Sequence, residues 1–111
     1  MLARADTGLN NTKWREVWTI VAAEKLRVQI SFVSDDHWNS ANAASVFGPF
    51  SLHLVEQDHI RDPGIGGPFF YREIRSLRIL GTSDEIILRL RSLGQLPLSV
   101  GSNFVELEGY C

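Results

Sequence analysis

The most regular hydrophobic pattern in the chain lies near its start. In NNTKWREVWTIVAAEKL, Trp14, Val17, Trp18 and Val21 recur at i, i+3, i+4 and i+7, while Lys13, Glu16 and Glu24 fall off that stripe. This spacing predicts an amphipathic helix from about Asn11 to Lys25, with Asn11 or Thr12 as its cap. The next stretch, LRVQISFV (26–33), changes period. Leu26, Val28, Ile30 and Phe32 alternate with Arg27, Gln29 and Ser31, the mark of a half-buried strand. FSLHLVEQ (50–57) alternates in the same way, with Phe50, Leu52 and Leu54 on one side and His53 and Val55 on the other, and is read as a second strand. The residues between these runs are rich in Ser, Asn, Asp and Ala and hold the turn signal Gly48-Pro49, so a long loop is expected there.

FFYREIRSLRIL (69–80) is ambiguous, because its apolar positions fit both a helix and a strand. The residues C-terminal to it decide between the two. Thr82 precedes Glu85 by three residues, a capping box. A helix therefore starts at about Ser83, with Ile86, Ile87, Leu90 and Leu93 inward, Glu85 and Arg89 paired along its surface, Gly94 as its terminator and Pro97 beyond. Residues 74–80 are then a strand feeding that helix, and 69–73 an irregular extended piece. A last strand is expected over about 103–109, with Val105 and Leu107 inward and Glu106 and Glu108 outward. The predicted order is α-β-β-β-α-β. It describes an α+β domain: one small, mostly antiparallel sheet of about four strands with two helices on one face. The strand–helix–strand tail is expected to add one parallel pair. Residues 1–10 read as a flexible leader and 11–111 as a single domain.

Composition narrows the function classes. The chain has 111 residues, 44% hydrophobic and 22% charged, which is globular. A net charge of −2 disfavours nucleic acid, whose binders draw most of their affinity from a basic excess. No apolar run is long enough for a signal peptide or a membrane span, so neither is expected, and the cytoplasm is the predicted compartment. The single cysteine, Cys111, excludes an intramolecular disulfide.

No catalytic motif stands out. His37, His53 and His59 lie near Asp35, Asp36 and Asp58, but their spacing matches no compact metal-ligand pattern, and no metal or cofactor is expected. PGIGGP (63–68) lacks the Lys-Ser/Thr of a phosphate cradle and reads as a connector. Two groups suit recognition better. DDHWN places Asp35, Asp36, His37 and Trp38 together in a loop, where an aromatic anchor among charges is typical of an interface. Tyr71, Arg72 and Arg78 form the second group. On a strand, Arg72 and Arg78 would share a face and Arg75 would point away, and guanidinium groups suit carboxylates and phosphates.

Asn11, Thr12, Lys13 and Trp14 at the first helix, Tyr71, Ile74, Leu77 and Ile79 ahead of the second, and the closing Gly109-Tyr110 resemble a small bacterial family of unknown function. That family tends to open with Asn-Asp/Thr-Lys-Trp, to carry a Tyr-x-x-Ile-x-x-Leu-x-Ile strand and to end in Gly-Tyr. The resemblance does not extend over residues 35–68 and implies no activity. Small α+β chains of this kind are also broadly similar to polymorphic-toxin immunity proteins and to orphan proteins of mobile gene cassettes.

The leading expectation is therefore a non-catalytic protein that binds another protein. The alternatives are a small-molecule-binding domain whose apolar pocket between helix and sheet is lined by Trp14, Trp18 and Phe32, and, third, a metal-dependent hydrolase. A homodimer built on an edge strand at 104–109 is compatible with each.

Overall fold

The computed structural model describes residues 9–33, 46–61, 68–94 and 96–109. Its elements are α1 (Asn11–Ala23), β1 (Arg27–Phe32), β2 (His59–Ile60), β3 (Phe69–Phe70), β4 (Ile74–Leu80), α2 (Asp84–Arg91), β5 (Leu98–Val100) and β6 (Phe104–Glu108), with single 3-10 turns at Leu52–Leu54 and Tyr71–Glu73. Four strands form one antiparallel sheet in the order β1-β4-β6-β5, and β2 and β3 form a separate antiparallel pair. The architecture is the expected α+β.

Each helix has a local reason to start and stop. The Asn10 carboxamide accepts from the Lys13 N–H at 2.8 Å, so the cap of α1 lies one residue before the predicted pair. At the other end the N–H of Lys25 donates to Ala22 O and that of Leu26 to Val21 O, a Schellman closure with Lys25 at φ 54°. Ser83, not Thr82, caps α2, accepting from Ile86 N–H at 3.4 Å. Asp84 and Glu85 sit in the first turn of α2 and Arg89 and Arg91 in its last, which suits the helix dipole. Arg89 reaches across to Glu24, the C-cap of α1, instead of pairing with Glu85. Lys13 at the other end of α1 donates to the Leu93 carbonyl just beyond α2.

The strand registers sort the sheet into two faces. Val28, Ile79, Val105 and Val100 form one row across the strands, and Ile30, Leu77, Leu107 and Leu98 the next. Except for Val100, which is exposed, these rows meet the helix stripes in one core that contains Trp14, Val17, Trp18, Val21, Ile86 and Leu90. Trp14 and Trp18 are 1% and 0% exposed. Burying each indole contributes on the order of 4 kcal/mol before the entropy of ordering is set against it. The opposite face carries the row Gln29, Arg78, Glu106 and Ser99. There Arg78 donates to Glu106 Oε1 from Nε at 3.3 Å and from Nη2 at 3.1 Å, and its guanidinium lies over the Phe104 ring.

Three expectations are corrected. Residues 50–57 are not a sheet strand. The edge of β1 is taken by Phe47, whose N–H and C=O both bond Val28, and the chain then turns through Gly48-Pro49 into the Leu52–Leu54 turn. The tail does not make a parallel neighbour pair. β5 runs in the same direction as β4, but a hairpin closed by Gly101 N–H to Phe104 O inserts β6 between them, antiparallel to both. Residues 104–108 are consequently interior to the sheet, not an edge on which a homodimer could pair. Among the described residues no helix is long and apolar enough to cross a membrane.

Candidate functional site: a polar cleft beside the β2–β3 hairpin

The hairpin is anchored by two apolar residues, Ile60 at 0% exposure and Phe69 at 3%, which pair across it. His59 and Phe70 form the other cross-strand pair. Tyr71 then turns the chain toward β4 and is fully buried. Its N–H donates to Asp58 O at 2.9 Å and its hydroxyl to Glu56 O at 2.6 Å, so one residue fixes the segment 56–58 at two points. The Glu56 N–H donates to His59 O, and the Glu56 carboxylate accepts from Arg61 Nε at 2.9 Å. The segment is thus held by bonds on both sides.

On this frame stand several polar and aromatic groups. His59 Nδ1 donates to Asp58 Oδ1 at 2.7 Å, and the imidazole lies 5.3 Å from the Phe70 ring. The Arg72 guanidinium lies 4.8 Å from the same ring, a cation–π contact. Next to the hairpin, the first turns of α1 contribute Asn11, Thr12 and Arg15 to a cleft of about 430 Å³ that Gln57 and Asp58 complete. Arg15 makes no ion pair among the described residues. Burial drives the Tyr71 ionisation well above the ordinary tyrosine range. Arg15 acts against that shift, and Asp58 and Glu56 reinforce it. Tyr71 is a structural post here and stays protonated, with its hydroxyl committed as a donor.

The cleft offers a guanidinium, two carboxamides, a hydroxyl and a carboxylate. It can receive polar side chains of either sign; the Phe70 ring and the Arg72 guanidinium over it stand on the neighbouring hairpin and the turn that follows it. Among the described residues no group of three or more His, Cys, Asp or Glu side chains could hold a metal ion.

The residues singled out from sequence separate in space. Tyr71 is buried and bonds the segment 56–58 that supplies Gln57 and Asp58 to the cleft, whereas Arg72 is exposed and not among the residues lining it. Arg78 does not join them. Arg72 sits in the 3-10 turn before β4, so the face it was expected to share with Arg78 does not exist, and Arg78 lies on the outer sheet face with Glu106. Trp14 and Trp18 are enclosed in the core, where the Trp18 ring packs edge-on against Phe50 at 5.2 Å. Phe32 lines a groove of about 240 Å³ with Val33, Phe69 and Glu73. Asp35, Asp36, His37 and Trp38 lie outside the described residues. Sequence reasoning missed Asn11, Thr12 and Gln57 as cleft residues, and Arg15 altogether. The available signal was that Arg15 lies off the apolar stripe of α1, on the side turned away from the core. Comparisons with protein-family models, with curated proteins and with solved structures gave no match.

Proposed function

We propose that this chain is a small non-catalytic interaction protein of the cytoplasm, of the immunity or gene-cassette accessory type, and that it meets a protein partner at the rim of the cleft. The observation that carries this reading is the fixed frame around Tyr71. Its hydroxyl bond to Glu56 O fixes the segment that carries Asp58 and His59, with Arg15 across the cleft from Asp58 and Phe70 and Arg72 on the adjoining hairpin and turn. Arginine and aromatic side chains on a rigid base are the composition of interface hot spots, because little entropy is lost when they dock. The test is affinity capture from the native host, identification of the partner, and titration of the two purified proteins. Arg15→Glu and Arg72→Glu are each expected to weaken the complex about tenfold or more. A reconstituted complex that tolerates both changes contradicts the reading, as does recovery of no partner.

A second reading rests on the groove of Phe32, Val33, Phe69 and Glu73, which is apolar with one carboxylate at its edge. It supports binding of a small apolar ligand. A thermal-shift screen tests it, since a ligand that binds only the folded state raises the melting temperature. A screen without a hit that Phe32→Ala abolishes removes it.

A further inference from the structure

Where α1 meets β1 the chain does something that its residue type disfavours. Lys25 occupies the left-handed position of the Schellman closure at φ 54°. Glycine takes this conformation without cost, whereas a side chain there is disfavoured, offset in part by the attraction of a cation to the helix C-terminus. The ammonium that this places at the surface has company. Lys25, Leu26, Arg27, Val46, Leu80 and Gly81 line a groove of about 440 Å³. Lys25 and Arg27 are exposed, and among the described residues neither has an ion-pair partner. The carboxylate adjacent in sequence, Glu24, is engaged by Arg89. Val46 is 50% exposed, Leu80 stands opposite Arg27 in the β1–β4 register, and a Cβ built on Gly81 would meet nothing within 4 Å. The lining therefore combines two exposed cations with the apolar Leu26, Val46 and Leu80, and Gly81 leaves space beside it. The groove sits on a chain whose net charge is −2.

We infer that this corner is a docking groove for an acidic segment of a protein partner, one that seats an aliphatic side chain on Leu80 and Val46 between carboxylates held by Lys25 and Arg27. Charge complementarity selects the occupant: two unpaired cations repel a basic segment, and the apolar lining is wasted on a purely acidic one. The inference rests on the interaction reading in requiring a protein partner. It uses a different surface from the cleft, and a synthetic probe tests it without that partner.

The probe is a fluorescein-labelled peptide with one leucine between pairs of glutamates. Its controls are the same peptide with glycine for leucine, the same peptide with lysines for glutamates, and a single-stranded oligouridylate. Binding is read by fluorescence anisotropy and mapped by amide chemical shifts on the full chain. The leucine–glutamate peptide is expected to bind saturably and to shift Lys25, Leu26, Arg27, Val46, Leu80 and Gly81. Lys25→Gly is expected to weaken it about two- to fivefold, in keeping with one exposed ion pair, while melting temperature is unchanged or raised because the left-handed position now suits its residue. Arg27→Gln should weaken it similarly. No saturable binding overturns the proposal. So do equal binding of the glycine control or of the oligouridylate, shifts centred on Arg15 and Arg72, or a Lys25→Gly variant that binds as the wild type does.

Discussion

Gly109 lies against Trp14 so closely that no side chain fits between them. A Cβ built on Gly109 would stand 2.8 Å from Cζ2 of the indole and 2.4 Å from the carbonyl oxygen of Ile74. The Gly109 N–H donates to Arg75 O at 2.6 Å, which holds the end of β6 down onto β4. The first helix and the last strand are thus locked at one point, and the glycine at position 109 has a steric cause. Gly109→Ala is expected to lower stability by about 2–3 kcal/mol, since backbone and a buried indole must both move. Urea unfolding measures this. A loss no larger than that of an exposed surface alanine would show that the two residues are not in contact.

Tyr71→Phe removes the donor from Glu56 O without changing the shape of the core. The expected loss is about 1 kcal/mol near neutral pH, again by urea unfolding.

The same hydroxyl makes a pH signature. Its ionisation is raised in the folded state, chiefly by burial. The unfolded chain therefore releases this proton first, at about pH 10, while the folded chain retains it. Tyr71 accordingly contributes full stability below about pH 10, and that contribution falls as pH rises beyond it. Stability profiles of the wild type and Tyr71→Phe should converge above about pH 10, where a constant difference would contradict the account.

Arg78 and Glu106 join β4 to β6 on the outer face, with side chains 26% and 18% exposed. Partial burial makes the pair worth more than a surface ion pair, so a double-mutant cycle with Arg78→Gln and Glu106→Gln should give a coupling of about 1 kcal/mol. A coupling indistinguishable from zero would mean that the two strands are held by backbone and core contacts alone.

The helices and the strands at 27–32 and 74–80 were legible because each buries one side only, and one-sided burial writes its period into the sequence. The alternation of Phe50, Leu52 and Leu54 was equally regular, yet a strand also needs a free neighbour, and Phe47 already occupies the edge of β1. β5 spans only Leu98–Val100, too short for a period, and without it the tail reads as a parallel crossover. Tyr71 stood among arginines and so looked like a surface residue, whereas the turn at Tyr71–Glu73 points it inward. The cleft left no trace in the sequence, because Arg15 and Asp58 belong to distant segments that only the packing of the hairpin beside α1 brings to one opening.

The central claim is that the tryptophan stripe of α1 is sealed against the sheet, which leaves the two proposed recognition surfaces, the hairpin cleft and the corner at Lys25, outside the core. Acrylamide quenching of indole fluorescence in a Trp38→Phe background, where only Trp14 and Trp18 emit, tests it most directly. The account predicts blue-shifted emission and quenching several-fold weaker than in the urea-unfolded chain. Emission and quenching equal to those of the unfolded chain would contradict it.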